Sequence, residues 1–228
     1  MVKVRKAIKS SFLARYFYPR FYSQTGEDVI LGQMVGKRIG TYIDIGSGLP
    51  IWGSNTYSLY RKGWRGITVD PIRDNVRWAK WVRPRDTHIL GAVSDIAGIS
   101  NFYEFEAYEY STLDYELYKQ RMNSGLVLKN SYSIQMIKAE TIQAMLPLNL
   151  DEEPHLLILS IDAEGYEGKI LEGFVWETFS PDIVIIEELD SPLSGVSTIR
   201  QFLEELEYSL YAFSGYSSIY KNKNFEAY

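Results

Sequence analysis

The sequence has no cysteine among its 228 residues, which excludes disulfides, Cys-ligated zinc, iron–sulfur clusters and thiol nucleophiles. Histidine is nearly absent as well. His88 and His155 are the only two, too few for a His-rich metal site and a poor basis for a Ser-His-Asp arrangement. No apolar run approaches the ~18 residues that span a bilayer, and the basic start lacks the uninterrupted apolar core and small-residue cleavage site of a signal peptide. What remains is globular composition, 46% hydrophobic and 23% charged, at a length suited to one ordinary core.

Charge is unevenly spread. Residues 1–20 carry Lys3, Arg5, Lys6, Lys9, Arg15 and Arg20 with no acid, leaving 18 basic residues against 29 acidic ones in the rest, a net −11. Such a body repels phosphate backbones, so nucleic acid is not expected as a partner. The reading is a soluble cytoplasmic protein with a basic, helical segment over 1–21 and one domain over 22–228. That segment has two readings: a helix packed on the domain or frayed at the terminus, and a basic amphipathic helix in weak contact with an anionic membrane surface through residues 1–20.

From residue 40 onward short β-branched runs alternate with helical patterns, the punctuation of an α/β fold with a parallel sheet. Strands are expected at 40–45, 66–70, 88–93, 100–105, 132–138, 156–161 and 182–187, and a hairpin at 209–213 and 217–220 around Gly215. Helices are expected over 55–62, 75–81 and 199–206, with a short one capped by Thr141 and ending near Pro147. Leu156–Ile161 is a continuous apolar run of the kind buried on both sheet faces. The stretch Glu106–Asn130 lacks regular pattern and holds Tyr108, Tyr110, Tyr115 and Tyr118. It reads either as a substrate lid, since tyrosines stack on sugar faces, or as a packed surface excursion.

Thr41-Tyr-Ile-Asp-Ile-Gly-Ser-Gly48 ends a strand in an acid followed by a glycine turn, which lets backbone approach a ligand. The third glycine of the dinucleotide fingerprint is missing, with Pro50 and Ile51 in its place, which disfavours NAD. The second strand ends in Asp70, about two dozen residues on, where a carboxylate can accept both ribose hydroxyls. Together they point to an adenosine-bearing cofactor.

The order of motifs carries a resemblance. Ser23-Gln-Thr-Gly-Glu-Asp28, the glycine turn, Ser54-Asn-Thr56, Leu59–Gly66, Val69-Asp-Pro71, Ala92-Val-Ser-Asp95 and Ser160-Ile-Asp-Ala-Glu-Gly-Tyr-Glu167 together resemble the FkbM family of S-adenosylmethionine-dependent methyltransferases over about residues 22–220. The resemblance implies the Rossmann-like class I methyltransferase fold, a seven-stranded, mostly parallel sheet of order 3-2-1-4-5-7-6 with helices on both faces. It implies S-adenosyl-L-methionine as cofactor, with Gly46, Ser47 and Gly48 along its methionyl and ribose parts and Asp70 on the ribose. Ala92 and Val93 would flank the adenine, and Gln24 and Asn55 would stand near the methionyl end. Asp44 has two readings, ligand contact or satisfaction of turn amides.

On the acceptor side, methyl transfer requires alignment of a nucleophile and management of its proton. With so little histidine, a carboxylate or a metal is expected in that role. The fourth strand ends at Asp162 and the fifth at Glu187-Glu188, neighbouring carboxyl ends in the implied topology. Three acids there suit a hard cation, with Mg²⁺ the candidate. The arrangement resembles the metal-dependent sugar O-methyltransferases of macrolide pathways, in which such acids hold the ion and the ion grips two neighbouring hydroxyls. The competing reading has Asp162 acting alone as an electrostatic or basic catalytic residue, with Glu187 and Glu188 structural. Glu164 and Glu167 read as helix-start capping acids, and both histidines as surface or structural. The leading function is O-methylation of a hydroxyl on a sugar or glycan. The alternatives are methylation of a small metabolite or lipid-linked intermediate, and a non-catalytic cofactor-binding scaffold.

Overall fold

The structure is a computed structural model that describes residues 21–146, 155–188 and 197–227. The expected basic helix in residues 1–20 and the helix end near Pro147 lie outside the described residues. Seven strands form the main sheet in the order β3 (Thr87–Leu90), β2 (Arg65–Asp70), β1 (Ile39–Ile45), β7 (His155–Ile161), β8 (Ile183–Glu187), β10 (Ser217–Asn222), β9 (Tyr208–Ser214). Counting only these strands along the chain, this is the expected 3-2-1-4-5-7-6. β10 runs antiparallel to β8 and to β9, so it alone opposes the others.

The core follows from strand periodicity. Side chains alternate faces, and β7 buries Leu157, Leu159 and Ile161 in one layer with Ile43, Ile67, Val184 and Ile186. The other face sends Leu156 and Ile158 into a second layer with Tyr42, Ile183, Ile185 and Ile219. Covering elements include α1 (Glu27–Val35), α2 (Tyr57–Arg61), α3 (Arg73–Val82), α5 (Ala139–Gln143), α6 (Glu167–Glu172) and α7 (Thr198–Glu205), while α4 (Tyr115–Asn123) belongs to the excursion described below. Among the described residues no helix is long and apolar enough to cross a membrane.

Two expectations are corrected. The third strand, read as continuous from His88 to Val93, breaks at Gly91, whose amide donates to Asp70 O at 3.1 Å. A side chain at Gly91 would lie 2.8 Å from Ile137 Cδ1, so the chain bends where β6 packs closely. Ala92 and Val93 therefore leave the main sheet as β4 (Ala92–Ser94) and pair with β6 (Leu128–Lys138), which pairs on its other edge with β5 (Gly98–Phe105), in a separate three-stranded sheet. Thr141 is not a cap: α5 starts at Ala139 directly from Lys138, the extended last residue of β6, which leaves Thr141 inside the helix. The Tyr-rich excursion is the connection between β5 and β6. It contains a 3₁₀ turn at Tyr108–Tyr110 and α4, started by Asp114, whose carboxylate accepts from Leu117 N at 2.8 Å.

Candidate active site

Strand order reverses beside β1, with β2 on one side and β7 on the other, and ligands of open α/β sheets bind outside the carboxyl ends at such a point. The chain leaves β1 through Gly46, at φ 73. A Cβ there would fall 1.6 Å from Asp162 O, so both the left-handed conformation and the close approach of the β7 exit require glycine. Gly46 N donates to Val69 O at 2.9 Å, and Asp162 N to Ile45 O at 2.9 Å, stitching the three strand ends together.

Asp70 holds this turn from the end of β2. Its Oδ2 accepts from Gly48 N at 2.8 Å, and its Oδ1 from Ile72 N at 2.7 Å and Asn75 Nδ2 at 3.2 Å. Burial pushes its carboxyl up to about 7, against the lowering effect of the Ile72 and Gly48 amides. The carboxylate is thus preorganised, with one lone-pair site left on Oδ2 for a ligand's hydroxyl.

The cleft beside it encloses about 690 Å³ of empty space, open mouth included. Apolar lining comes from Ile72, Ala92, Val93 and Phe102, and polar lining from Gln24, Asp70, Asp162 and Glu164. Of the residues expected at the cofactor, Gln24, Gly46, Asp70, Ala92 and Val93 are brought together in this one lining. Ser47, Gly48 and Asn55 are not part of it: the Ser47 amide donates to Val69 O at 3.2 Å, Gly48 binds Asp70, and Asn55 Nδ2 donates to Ser160 Oγ at 3.3 Å. Asp44 faces neither cleft nor turn amides. It accepts from the Thr56 hydroxyl and lies 4.0 Å from Arg83, a buried guanidinium that also donates to Tyr42, Thr56 and Asp86.

At the cleft wall stands an acid group different from the expected one. Asp162, Glu164 and Glu187 each offer a carboxylate oxygen, all within 4.8 Å of one another. Glu188 is not among them. It is buried on the opposite side of β8, where it accepts from the Ser197 and Tyr220 hydroxyls, because successive strand residues face opposite ways. Glu164, expected only to support the next helix, takes its place. Glu167 does keep the supporting role, accepting from Ala163 N at 2.9 Å and Gly165 N at 3.0 Å.

Crowding of like charge under partial burial disfavours ionisation. Burial, then the neighbouring Asp162 and Glu164 charges, raise Glu187 to about 10. Burial raises Glu164 to about 7 although Arg121 pulls it down, and burial with Glu164 and Glu167 raises Asp162 well above the carboxylate range. Glu187 Oε2 is buried with no hydrogen-bond partner among the described residues.

The β5–β6 excursion covers this site. Arg121 of α4 donates to Glu164 Oε2 at 2.5 Å and to Tyr110 O at 2.7 Å, and Thr112 Oγ1 donates to Glu164 O at 2.8 Å. Of its tyrosines, Tyr108 lines the cleft. Tyr115 and Tyr118 pack with Tyr103, the Tyr103 and Tyr118 rings stacked at 4.1 Å, so they build the cover itself. Ser111, Leu113 and Phe102 also line the cleft, contributions that need knowledge of the second sheet to foresee. The histidines link strands: His155 Nε2 meets Thr41 Oγ1 at 2.7 Å, and His88 meets Thr68 Oγ1 at 2.7 Å and Arg83 O at 2.9 Å.

Comparison with known proteins adds the family. No curated protein matches the sequence. Among the solved structures that resemble it distantly are three methyltransferases. A TehB-like SAM-dependent methyltransferase from Corynebacterium glutamicum is 14% identical over 96% of this chain and 97% of that one, with TM-score 0.40. A precorrin-6y C5,15-methyltransferase from Geobacter metallireducens is 10% identical over 85% and 84%, with TM-score 0.39. An O-methyltransferase from Bacillus cereus in complex with SAH is 14% identical over 96% of each chain, with TM-score 0.42. The assignment rests instead on the methyltransferase FkbM domain, whose family model matches residues 35–210. The chain belongs to the FkbM family of S-adenosylmethionine-dependent methyltransferases.

Proposed function

We propose that this protein transfers the methyl group of S-adenosylmethionine to a hydroxyl of a sugar or glycan, with a divalent cation such as Mg²⁺ held by Asp162, Glu164 and Glu187. The observation that carries the reading is the convergence of those three carboxylates within 4.8 Å beside the cleft.

The cofactor's adenosine fits the lining: Asp70 Oδ2 accepts from a ribose hydroxyl, and Ala92, Val93, Ile72 and Phe102 give the adenine an apolar bed. Bound there, S-adenosylmethionine supplies an electrophilic methyl on a sulfonium, open to in-line displacement by an oxygen nucleophile. Asp162 and Glu164 stand in the same lining, so they orient an acceptor hydroxyl and take its proton.

The donor set fits a hard cation on two counts. It consists of carboxylate oxygens alone, and it leaves Glu187 Oε2 buried without a partner among the described residues. The cation would neutralise the crowded acids, lower the pKa of a hydroxyl and favour an acceptor with two adjacent hydroxyls, as sugars have. Arg121 occupies the other side of Glu164, fixing how that carboxylate faces the group.

A radiolabelled methyl-transfer screen over sugar nucleotides, glycans and amine acceptors, with and without chelator, tests the reading. Transfer to a hydroxyl of a carbohydrate that stops on chelation and returns with Mg²⁺ supports it. Transfer confined to nitrogen, or undiminished by thorough chelation, overturns it.

A further inference from the structure

Helix α3 belongs to the cofactor cleft on one side and carries an unusual surface on the other. Ile72 at its start and Asn75 line the cleft, and Asn75, Val76 and Ala79 form its buried face. The outward ridge, at i, i+4 and i+8, is Arg73, Arg77 and Trp81, flanked by Trp78 and Lys80, with Arg85 just beyond the helix end; all six are exposed. Trp81 is 80% exposed and Trp78 53%, a costly display of two indoles three residues apart on one helix.

The charge around them is as distinctive. Along residues 72–85 the exposed charged side chains are Arg73, Arg77, Lys80 and Arg85 with one acid, Asp74. Arg77 pairs with Asp74 at 3.5 Å, both side chains in solvent, where such a pair is weak. Arg85 lies over the Tyr60 ring at 4.2 Å and donates to Tyr60 O at 2.6 Å, which fixes its place without neutralising it. The surface is net positive on a body that carries −11 beyond residue 20.

We propose that this face of α3 docks the enzyme on an anionic lipid surface. The indoles settle at the headgroup level, where an apolar ring with one polar edge is favoured, and the four cations engage lipid phosphates and acidic headgroups. Charge complementarity selects this occupant. A second copy of the same face would bring like charges together, and an extended nucleic acid would meet the acidic remainder of the body. Because α3 also forms part of the cleft wall, docking holds the cofactor site about one helix diameter, ~10 Å, from the lipid, beside any acceptor carried there.

The test uses the full chain, residues 1–20 included, in co-sedimentation with phosphatidylcholine vesicles containing or lacking 30 mol% phosphatidylglycerol. Wild type is expected to bind only the anionic vesicles and to be released by 500 mM NaCl. W78A/W81A and R77E/K80E are each expected to lower the partition coefficient at least about tenfold, while thermal midpoint and S-adenosylhomocysteine affinity stay as in wild type. Absence of wild-type binding to anionic vesicles overturns the proposal. So does unchanged binding by both variants, which would move the contact to another part of the chain. Binding of duplex DNA as tight as vesicle binding at the same salt would overturn it in favour of a nucleic-acid partner.

Discussion

Arg121 on α4 and Glu164 on the loop after β7 meet side chain to side chain, Nη2 to Oε2 at 2.5 Å, with side-chain exposures of 11% and 17%. The contact ties the covering excursion to the acid group across a sequence gap of 43 residues. Arg121→Ala leaves Glu164 partly buried without its cation, a loss of about 1–3 kcal/mol in what the pair holds. Methyl transfer is expected to fall about tenfold or more, while S-adenosylhomocysteine affinity changes less than about threefold. Calorimetry beside a steady-state assay checks this; equal losses in both would make Arg121 a fold-bearing residue.

Asp70 organises the cofactor turn through three donors and presents itself to the ribose. Asp70→Ala should cost about 1.5–3 kcal/mol of cofactor affinity, the range for hydrogen bonds to a charged group, read as a roughly 10–150-fold rise in Kd. The midpoint of unfolding should fall too, since Gly48 N, Ile72 N and Asn75 Nδ2 lose their acceptor. A destabilised variant with wild-type affinity would remove Asp70 from the ribose.

The raised carboxyls make stability depend on pH in a definite direction. Glu187 ionises near its ordinary 4.5 in the unfolded chain and at about 10 in the folded, cation-free one. Between those values the unfolded state binds fewer protons, so stability falls as pH rises. Glu164, at about 7 when folded, adds to the loss between 4.5 and 7. In thermal scans of chelated protein the midpoint should drop from pH 6 to pH 9, and Mg²⁺ should raise it more at pH 9 than at pH 6. A midpoint that climbs over this range without cation would refute the crowded-acid description.

Much of this could be read from residues because strand patterns and glycine turns act locally. The apolar run 156–161 declared a central strand, Gly46 declared a close approach, and Asp70 declared its strand end. What escaped depends on contacts distant in sequence. Gly91 looks like an ordinary strand residue until β6 packs against it, so the second sheet was invisible. Choosing Glu188 as a third ligand overlooked the two-residue period that turns adjacent acids to opposite faces. Glu164 reaches the group from a left-handed backbone, φ 51, which no local pattern of non-glycine residues foretells.

The most direct measurement compares methyl transfer by Glu187→Gln and Glu188→Gln with wild type, each stripped of metal and then titrated with Mg²⁺. Glu187→Gln removes an acid of the convergent group, and Glu188→Gln alters a carboxylate bonded to Ser197 and Tyr220. The account predicts that Mg²⁺ restores turnover per folded molecule to Glu188→Gln as to wild type, while Glu187→Gln stays at least about tenfold lower and needs more Mg²⁺. Equal restoration in both variants, or wild-type turnover with no cation, would contradict it.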